Sequence, residues 1–241
     1  MNSHYIDCHI HLDLIKSRTV LDFINRYKIY TIAVTNHPKV FERFCSQVDS
    51  PYIRVALGMH PQLLNYIDLE QFKKHLCETK YIGEVGIDFS DRTLSDEKKV
   101  KQITTFEQIL RLSQNKILSI HSRKAENIVI NCIEKNFNTT SIYILHWYTG
   151  SLSNLQKACN IGCYFSVNLD LVCSKHFCDY VKIIPIERIL TETDAPFAKQ
   201  GGTDKIKFLV EKLSALYNMD KQSVKDQIFI NFRNILNHLE R

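Results

Sequence analysis

The chain has 241 residues, of which 44% are hydrophobic and 24% are charged, a balance that is typical of an ordinary globular protein with a substantial core. Its formal net charge of +5 at pH 7 permits a polyanionic partner, but it falls short of the basic stripe of a dedicated nucleic-acid-binding protein. No signal peptide is visible and no apolar run approaches the ~20 residues of a membrane span, so we expect a cytoplasmic protein that contacts no membrane. The eight cysteines include no CxxC pair, and we expect them to be reduced.

Short apolar segments alternate along the chain with amphipathic segments. The predicted strands are Tyr5–His9, Ile29–Thr35, Ile53–Gly58, Tyr81–Glu84, Ile117–His121, Ile142–His146, Cys163–Val167 and Arg188–Glu192. The predicted helices are Thr19–Tyr27, Asp68–Thr79, Asp96–Asn115, Asp204–Tyr217 and Ser223–Glu240, the last with Ser223 as its N-cap. Eight strands that alternate with helices favour an α/β fold, a single (β/α)8 TIM barrel over residues 1–241. An open doubly wound sheet is the alternative.

Residues that can bind metal fall at the carboxyl ends of five predicted strands. They are His9, His11, Glu84, His121, His146 and Asp194. In a parallel barrel these ends open onto one face, so we expect the six side chains to converge. Six isolated structural residues are the competing interpretation, but their common position at strand ends argues against coincidence.

Imidazole and carboxylate groups suit zinc, and carboxylate-rich sites also accept magnesium or manganese. Six ligands exceed the needs of one catalytic ion. Two divalent ions about 3.5–4 Å apart, bridged by a carboxylate, would use them all, and such pairs drive phosphodiester hydrolysis. The sequence therefore predicts a two-metal hydrolase.

The order of the motifs is more specific than any one of them. The motifs are Asp7-x-His9-x-His11, Gly58-Met59-His60-Pro61, Gly83-Glu84-Val85-Gly86-Ile87-Asp88, His121-Ser122-Arg123, His146-x-x-x-Gly150 and Glu192-Thr193-Asp194-x-Pro196. Together they span nearly the whole chain and resemble the TatD family of metal-dependent deoxyribonucleases, within the amidohydrolase-like barrel superfamily.

The resemblance implies two sets of ligands and two catalytic residues. One ion would lie among His9, His11, Glu84 and Asp194, and the second would be held by Glu84, His121 and His146. The catalytic residues would be Glu84, which bridges the ions, and Asp194, which orients or deprotonates the attacking water. The implied substrate is DNA, cleaved from the ends of single strands or frayed duplexes.

Three stretches are closer to one branch of the family. Residues 52–63, 118–125 and 145–148 resemble QatD, the TatD-like nuclease of four-gene antiphage defence operons. This likeness implies a role in antiviral defence and protein partners from the same operon.

Three residues near the motifs are candidates for substrate binding: His60, Arg123 and Trp147. His60 could contact a phosphate or could fix the turn at Pro61. Arg123 could hold a phosphate through two hydrogen bonds, although a salt bridge at a helix start is the alternative. Trp147 could stack on a base, although core packing is expected for Trp147 or its neighbour Tyr148.

Other residues depart from the family pattern or support the ligands. Glu192 and Asp88 could hydrogen-bond metal-binding imidazoles, or could belong to a polar network at the barrel rim. Trp147 stands where relatives more often have a smaller residue, and residues 197–204 form a shorter loop than in many relatives. The short loop puts contacts with the substrate in doubt, but not the metal ligands.

Two other functions remain open at the level of sequence. The barrel and its metals could act on a small amide, ester or phosphate, because fold alone does not set the substrate. Glu84 argues against this, since many such relatives have a modified lysine on the fourth strand. A non-enzymatic scaffold with incidental metals is the third hypothesis, and the complete ligand set argues against it.

Overall fold

The structure, a computed structural model, describes residues 3–67 and 69–239. In this part of the chain, eight parallel strands form a nearly closed barrel. They are β1 (Ile6–Ile10), β2 (Tyr30–Val34), β3 (Ile53–Met59), β4 (Tyr81–Gly86), β5 (Ile117–His121), β6 (Ile142–His146), β7 (Tyr164–Val167) and β8 (Ile189–Thr191). Each strand pairs in parallel with the next along the chain. The predicted fold class is confirmed.

The first and last strands meet beyond the end of β8. The backbone N–H of Asp194 donates to the carbonyl of His9 (2.9 Å), and that of His11 donates to the carbonyl of Ala195 (2.9 Å). Residues that follow β8 are therefore held against the carboxyl end of β1.

In the described part of the chain, α-helices surround the sheet, eight of them between successive strands and two after β8. They are α1 (Thr19–Tyr27), α2 (Pro38–Cys45), α3 (Leu69–His75), α4 (Asp96–Leu112), α5 (Glu126–Lys135), α6 (Leu152–Ile161), α7 (Leu169–Val172), α8 (Phe177–Tyr180), α9 (Ile206–Tyr217) and α10 (Lys221–His238). None of the described helices is both long enough and apolar enough to cross a membrane.

Several predicted helix boundaries were wrong. The last helix is capped by Asp220, whose carboxylate accepts the N–H of Ser223 (2.9 Å), so Ser223 lies in the first turn. Asp204 lies in a 3-10 turn and α9 begins at Ile206. The predicted start at Asp68 and end at Glu240 fall outside the described residues.

Strand alternation places the polar site inside the barrel. On β1, Ile6, Cys8 and Ile10 join apolar clusters. Their neighbours Asp7 and His9 are also buried, and the ring of His9 reaches Ser119 on β5, on the other side of the barrel. Successive side chains of a strand point to opposite faces, so β1 contributes one face to the core and the other to the site.

Candidate metal centre

All six predicted ligands lie together at the carboxyl end of the barrel. His9 and His11 come from the end of β1, Glu84 from β4, His121 and His146 from the last positions of β5 and β6, and Asp194 from the segment after β8. Five of the six side chains are buried, and His121 is mostly buried. Since the strands are parallel, His11 and Asp194, which are 183 positions apart in sequence, line one cavity of about 630 Å³ with Glu84, His121 and His146.

Four of these side chains present donor atoms at nearly equal spacing. The two Nε2 atoms of His9 and His11 are 3.3 Å apart, and each lies 3.7 Å from Asp194 Oδ1. Glu84 Oε2 lies 3.8 Å from the first imidazole and 3.4 Å from the second. Tetrahedral ligands at ~2.0–2.2 Å from zinc are roughly 3.4 Å from one another, so this donor set fits a divalent cation.

The second oxygen of Glu84 faces a different pair of imidazoles. Oε1 lies 2.7 Å from Nδ1 of His121 and 3.2 Å from Nε2 of His146. One carboxylate therefore lies between two sets of nitrogen donors, one set at each oxygen. This is the position that a bridging ligand occupies.

Hydrogen bonds fix the orientation of three imidazoles. Nδ1 of His9 lies 2.7 Å from Ser119 Oγ, and Nε2 of His121 lies 2.9 Å from Asp88 Oδ2. Nδ1 of His146 lies 3.3 Å from both carboxylate oxygens of Glu192. In each ring the other nitrogen is left to face Glu84, as expected when outer partners orient metal ligands.

Glu192 is itself held by two side chains from the end of β7. The hydroxyl of Ser166 donates to its Oε2, and the amide of Asn168 donates to its Oε1 (3.0 Å). Sequence reasoning found Glu192 and Asp88 as hydrogen-bonding partners, but it missed these supports, because Ser and Asn at a strand end carry no distinctive pattern. Buried Nδ1 of His11 lacks a hydrogen-bond partner among the described residues.

The pKa values of the clustered side chains are shifted by burial and by the charges of their neighbours. Burial lowers the pKa of His9 well below its usual value, and His146 lowers it further. Burial also disfavours charge on His121, but the carboxylates of Glu84 and Asp88 outweigh this and raise its pKa to about 9. Burial raises the pKa of Asp194 to about 7, against the effect of His146. In the absence of a cation, Glu84, whose pKa is lowered mainly by His60 and His121 despite burial, is charged, and it faces a protonated His121.

His60, which the sequence assigns either to a phosphate contact or to the turn at Pro61, caps that turn and also faces the cluster. Its Nε2 is 3.7 Å from Glu84 Oε2, and its ring is 5.0 Å from that of His121 between centroids. The backbone N–H of Gln62 donates to its Nδ1 (3.2 Å), and burial lowers its pKa to about 4. A neutral ring whose Nδ1 accepts a hydrogen bond carries its hydrogen on Nε2, so His60 presents an N–H donor to the cavity.

Arg123 and Trp147 also line this cavity. Arg123 is exposed, and Trp147 is partly buried with a left-handed backbone (φ 40°) directly after β6. Tyr148 is buried in the core, and its hydroxyl donates to the carbonyl of Ser151 (3.0 Å). Of the two neighbouring aromatics, Tyr148 is therefore the one in the core.

Several residues of the cavity were not predicted from the sequence, among them Asn36 and Phe197. Asn36, which follows β2, has a buried Oδ1 without a hydrogen-bond partner in the described part of the chain. Phe197 is 58% exposed, and its ring meets that of His11 edge-on at 4.9 Å between centroids. The position of Phe197 directly after Pro196 was the only feature of the sequence that could have indicated its place in the cavity.

Known proteins resemble this chain in sequence and fold. A family model described as TatD related DNase matches residues 6–237. An uncharacterized metal-dependent hydrolase of Buchnera aphidicola is 27% identical over 96% of each chain. Human deoxyribonuclease TATDN3 is 27% identical over 79% of this chain and 77% of its own length. A TatD family hydrolase from Entamoeba histolytica shares the fold with a TM-score of 0.78, at 16% identity over 98% of both chains.

The match to the family model extends over almost the entire chain and includes all six residues of the cluster. The fold of the Entamoeba protein extends the likeness to the whole barrel. The chain therefore belongs to the TatD-related DNase family and is a metal-dependent hydrolase.

Proposed function

We propose that this protein is a deoxyribonuclease that hydrolyses the phosphodiester bonds of DNA with two divalent ions, zinc, magnesium or manganese. The observation that supports this most strongly is the position of Glu84, whose two oxygens face two separate groups of imidazoles. Paired cations about 3.5–4 Å apart are typical of phosphodiester hydrolysis. The DNase names of relatives supply the substrate class.

Each of the six residues has a place in the proposed centre. His9, His11, Glu84 and Asp194 would hold one ion, and Glu84, His121 and His146 the other. The bound ions would act as Lewis acids that activate water and neutralise charge growing on the phosphate. Asp194 would orient that water and accept its proton, because its Oδ1 lies 3.7 Å from the Nε2 atoms of both His9 and His11.

Residues around the centre would bind the substrate. Arg123 can donate two hydrogen bonds to one phosphate, and the Nε2–H of His60 can donate to an oxygen of the scissile phosphate. Trp147 and Phe197 offer aromatic faces to an unpaired base. We therefore assign single-stranded or frayed ends as the preferred substrate and exonucleolytic cleavage as its mode.

The biological setting that we propose is antiphage defence. This proposal is supported by the resemblance of residues 52–63, 118–125 and 145–148 to the QatD branch, and it implies protein partners from the same operon. Expression of the operon with His121→Ala should then lose protection against phage, whereas the intact operon protects. Equal protection by both would remove the defence role without affecting the nuclease.

Nuclease activity is tested directly on labelled DNA. Purified protein should degrade single-stranded DNA when divalent ions are present, and EDTA should stop it. His121→Ala and Asp194→Ala should each remove the activity, with circular dichroism showing that the fold is kept. Degradation that persists in both variants, or hydrolysis of small amides or esters in place of DNA, would contradict the proposal. DNA labelled at either end, compared with circular DNA, reports the mode of cleavage.

A further inference from the structure

A second cavity, of about 330 Å³, adjoins the metal-centre cavity. Gln62 and Asp88 line both cavities. The amide of Gln62 donates to Asp88 Oδ2 at 2.8 Å, so one hydrogen-bonded pair forms the shared wall. A chain-like ligand bound at the metals could therefore continue directly into this second cavity.

Two lysines of α4 line the second cavity. Lys98 and Lys101 are three residues apart, and residues at this spacing share one face of a helix. Lys99, between them, forms an ion pair with Asp96 (2.9 Å). Lys98 and Lys101 form no ion pair with any residue in the described ranges. Like charges on one helix face repel each other, and a bound anion would relieve that repulsion.

The two carboxylates of this cavity are already engaged. Asp88 accepts hydrogen bonds from Gln62 and from the backbone N–H of Ser90 (2.7 Å), and it lies 2.9 Å from Nε2 of His121. Asp91 accepts from both the N–H (2.8 Å) and the hydroxyl (2.7 Å) of Thr93. Asp91 also interacts electrostatically with Lys98, but neither lysine is part of an ion pair within the described ranges, and the exposed ammonium groups of both remain available to a ligand.

The remaining lining suits a nucleotide better than a small isolated anion. Pro61, Leu64 and Leu94 give the cavity an apolar part, and the side chains of Asn65 and Gln102 add amide groups. Apolar surface can cover a sugar or base while the ammonium groups contact the phosphate. Both parts are present in each unit of a DNA strand.

We propose that the second cavity is a subsite for the DNA strand, in which Lys98 and Lys101 bind a backbone phosphate adjacent to the scissile nucleotide. This inference rests on the proposed nuclease function. It gives the strand a path from the metal centre over the pair formed by Gln62 and Asp88 towards the start of α4.

Charge reversal on one helix tests the subsite. The probe is a fluorescent single-stranded DNA oligonucleotide, bound to the full chain with EDTA present so that the probe is not cleaved. Lys98→Glu and Lys101→Glu should each weaken binding for all sequences, and each should reduce the slope of log Kd against log salt by about 0.7 to 1. The matched control Lys99→Glu makes the same change of charge on the same helix and should keep the affinity and slope of the unmodified protein.

Replacing one phosphate of the oligonucleotide by an uncharged linkage shows which phosphate the lysines contact. A single methylphosphonate moved along the oligonucleotide should weaken binding to the unmodified protein most at one position near the end. In Lys101→Glu the same linkage should cause no further loss, since coupled groups are not additive. KM for DNA cleavage in the presence of manganese should rise in the same two variants and not in Lys99→Glu.

The outcomes separate the subsite from the nuclease proposal. If Lys98→Glu and Lys101→Glu bind like Lys99→Glu, or if the unmodified protein does not bind the oligonucleotide, the subsite is overturned. If binding depends on Lys98 and Lys101 but the unmodified protein cleaves no DNA, the subsite stands and the nuclease proposal fails.

Discussion

At the scale of single residues, the centre depends on which nitrogen of each imidazole faces Glu84. Outer partners decide this for His9, His121 and His146, through Ser119, Asp88 and Glu192 respectively. A metal ligand whose second nitrogen is held by such a partner is fixed in both tautomer and ring orientation. His60 differs, because its Nδ1 accepts from the backbone of Gln62, and we therefore assign it to the substrate and not to a metal.

Phe197 provides the prediction at this scale. Phe197→Ala should raise KM for single-stranded DNA by roughly 5- to 150-fold, because stacking of a base on an aromatic ring contributes about 1–3 kcal/mol. Phe208→Ala is the control, since Phe208 is similarly exposed (52%) but lies on α9 away from the cavity. Steady-state kinetics on one oligonucleotide measures both. Equal KM values for the two variants would show that no base rests on Phe197.

The residues of the site divide into those that the sequence could predict and those that it could not. The six clustered side chains were predictable because His and carboxylate residues recur at the carboxyl ends of five predicted strands, which meet on one face of a parallel barrel. Asn36 and Phe197 were not, because their proximity to the cavity depends on how the loops after β2 and β8 fold back. The assigned roles of the six residues stay predictions until metal binding is measured.

At the scale of elements, β4 carries Glu84 between two glycines, Gly83 and Gly86. Gly86 has φ +144°, and a Cβ there would lie 2.0 Å from the backbone oxygen of His121. The absence of a side chain at Gly86 therefore lets β4 approach β5 closely. This contact places Glu84 and His121 together.

We expect Gly86→Ala to lower the free energy of unfolding by more than the ~1–3 kcal/mol of a strained backbone position alone. Gly162→Ala is the matched control: Gly162 also has positive φ (+98°), but the nearest atom to an added Cβ would be 4.0 Å away. Urea denaturation of both variants measures the difference. A Gly86→Ala protein as stable as Gly162→Ala would contradict the close packing of β4 on β5.

The strands were easier to predict than the helices. Each strand is a short apolar run closed by a polar turn, and all eight were found within a few residues of their ends. Five helices were not predicted from the sequence: α2, α5, α6, α7 and α8. Two of these, α7 and α8, have only four residues each, which is too short to show the 3.6-residue period of a helix. The cap at Asp220 was missed because Ser223, three residues later, is also a good capping residue.

At the scale of the whole molecule, metal binding should be coupled to pH. The pKa of His121 is raised to about 9 by Glu84 and Asp88 despite burial, so the ring is protonated at pH 7 in the metal-free protein. A metal ligand must lose that proton. Affinity for the metal should therefore rise with pH through about 9, and His146 acts in the same direction, because Glu192 and Glu84 outweigh burial and raise its pKa well above its usual value.

Calorimetric titration of the metal-free protein in buffers of different ionisation enthalpy measures the protons released. We expect release at pH 7 and a smaller release above pH 9, since His121 is then already neutral. Asp194, with a pKa raised to about 7 by burial, should add a fraction of a proton at neutral pH. Binding without proton release at pH 7 would contradict the assignment of His121 as a ligand.

The central claim is that Glu84 joins two ions in one centre that cleaves DNA. Anomalous diffraction from crystals grown with manganese and a short single strand tests it most directly. We predict two peaks about 3.5–4 Å apart, one beside His9, His11 and Asp194 and one beside His121 and His146, with a phosphate of the strand next to both. A single peak, or two peaks that do not share Glu84, would contradict the account.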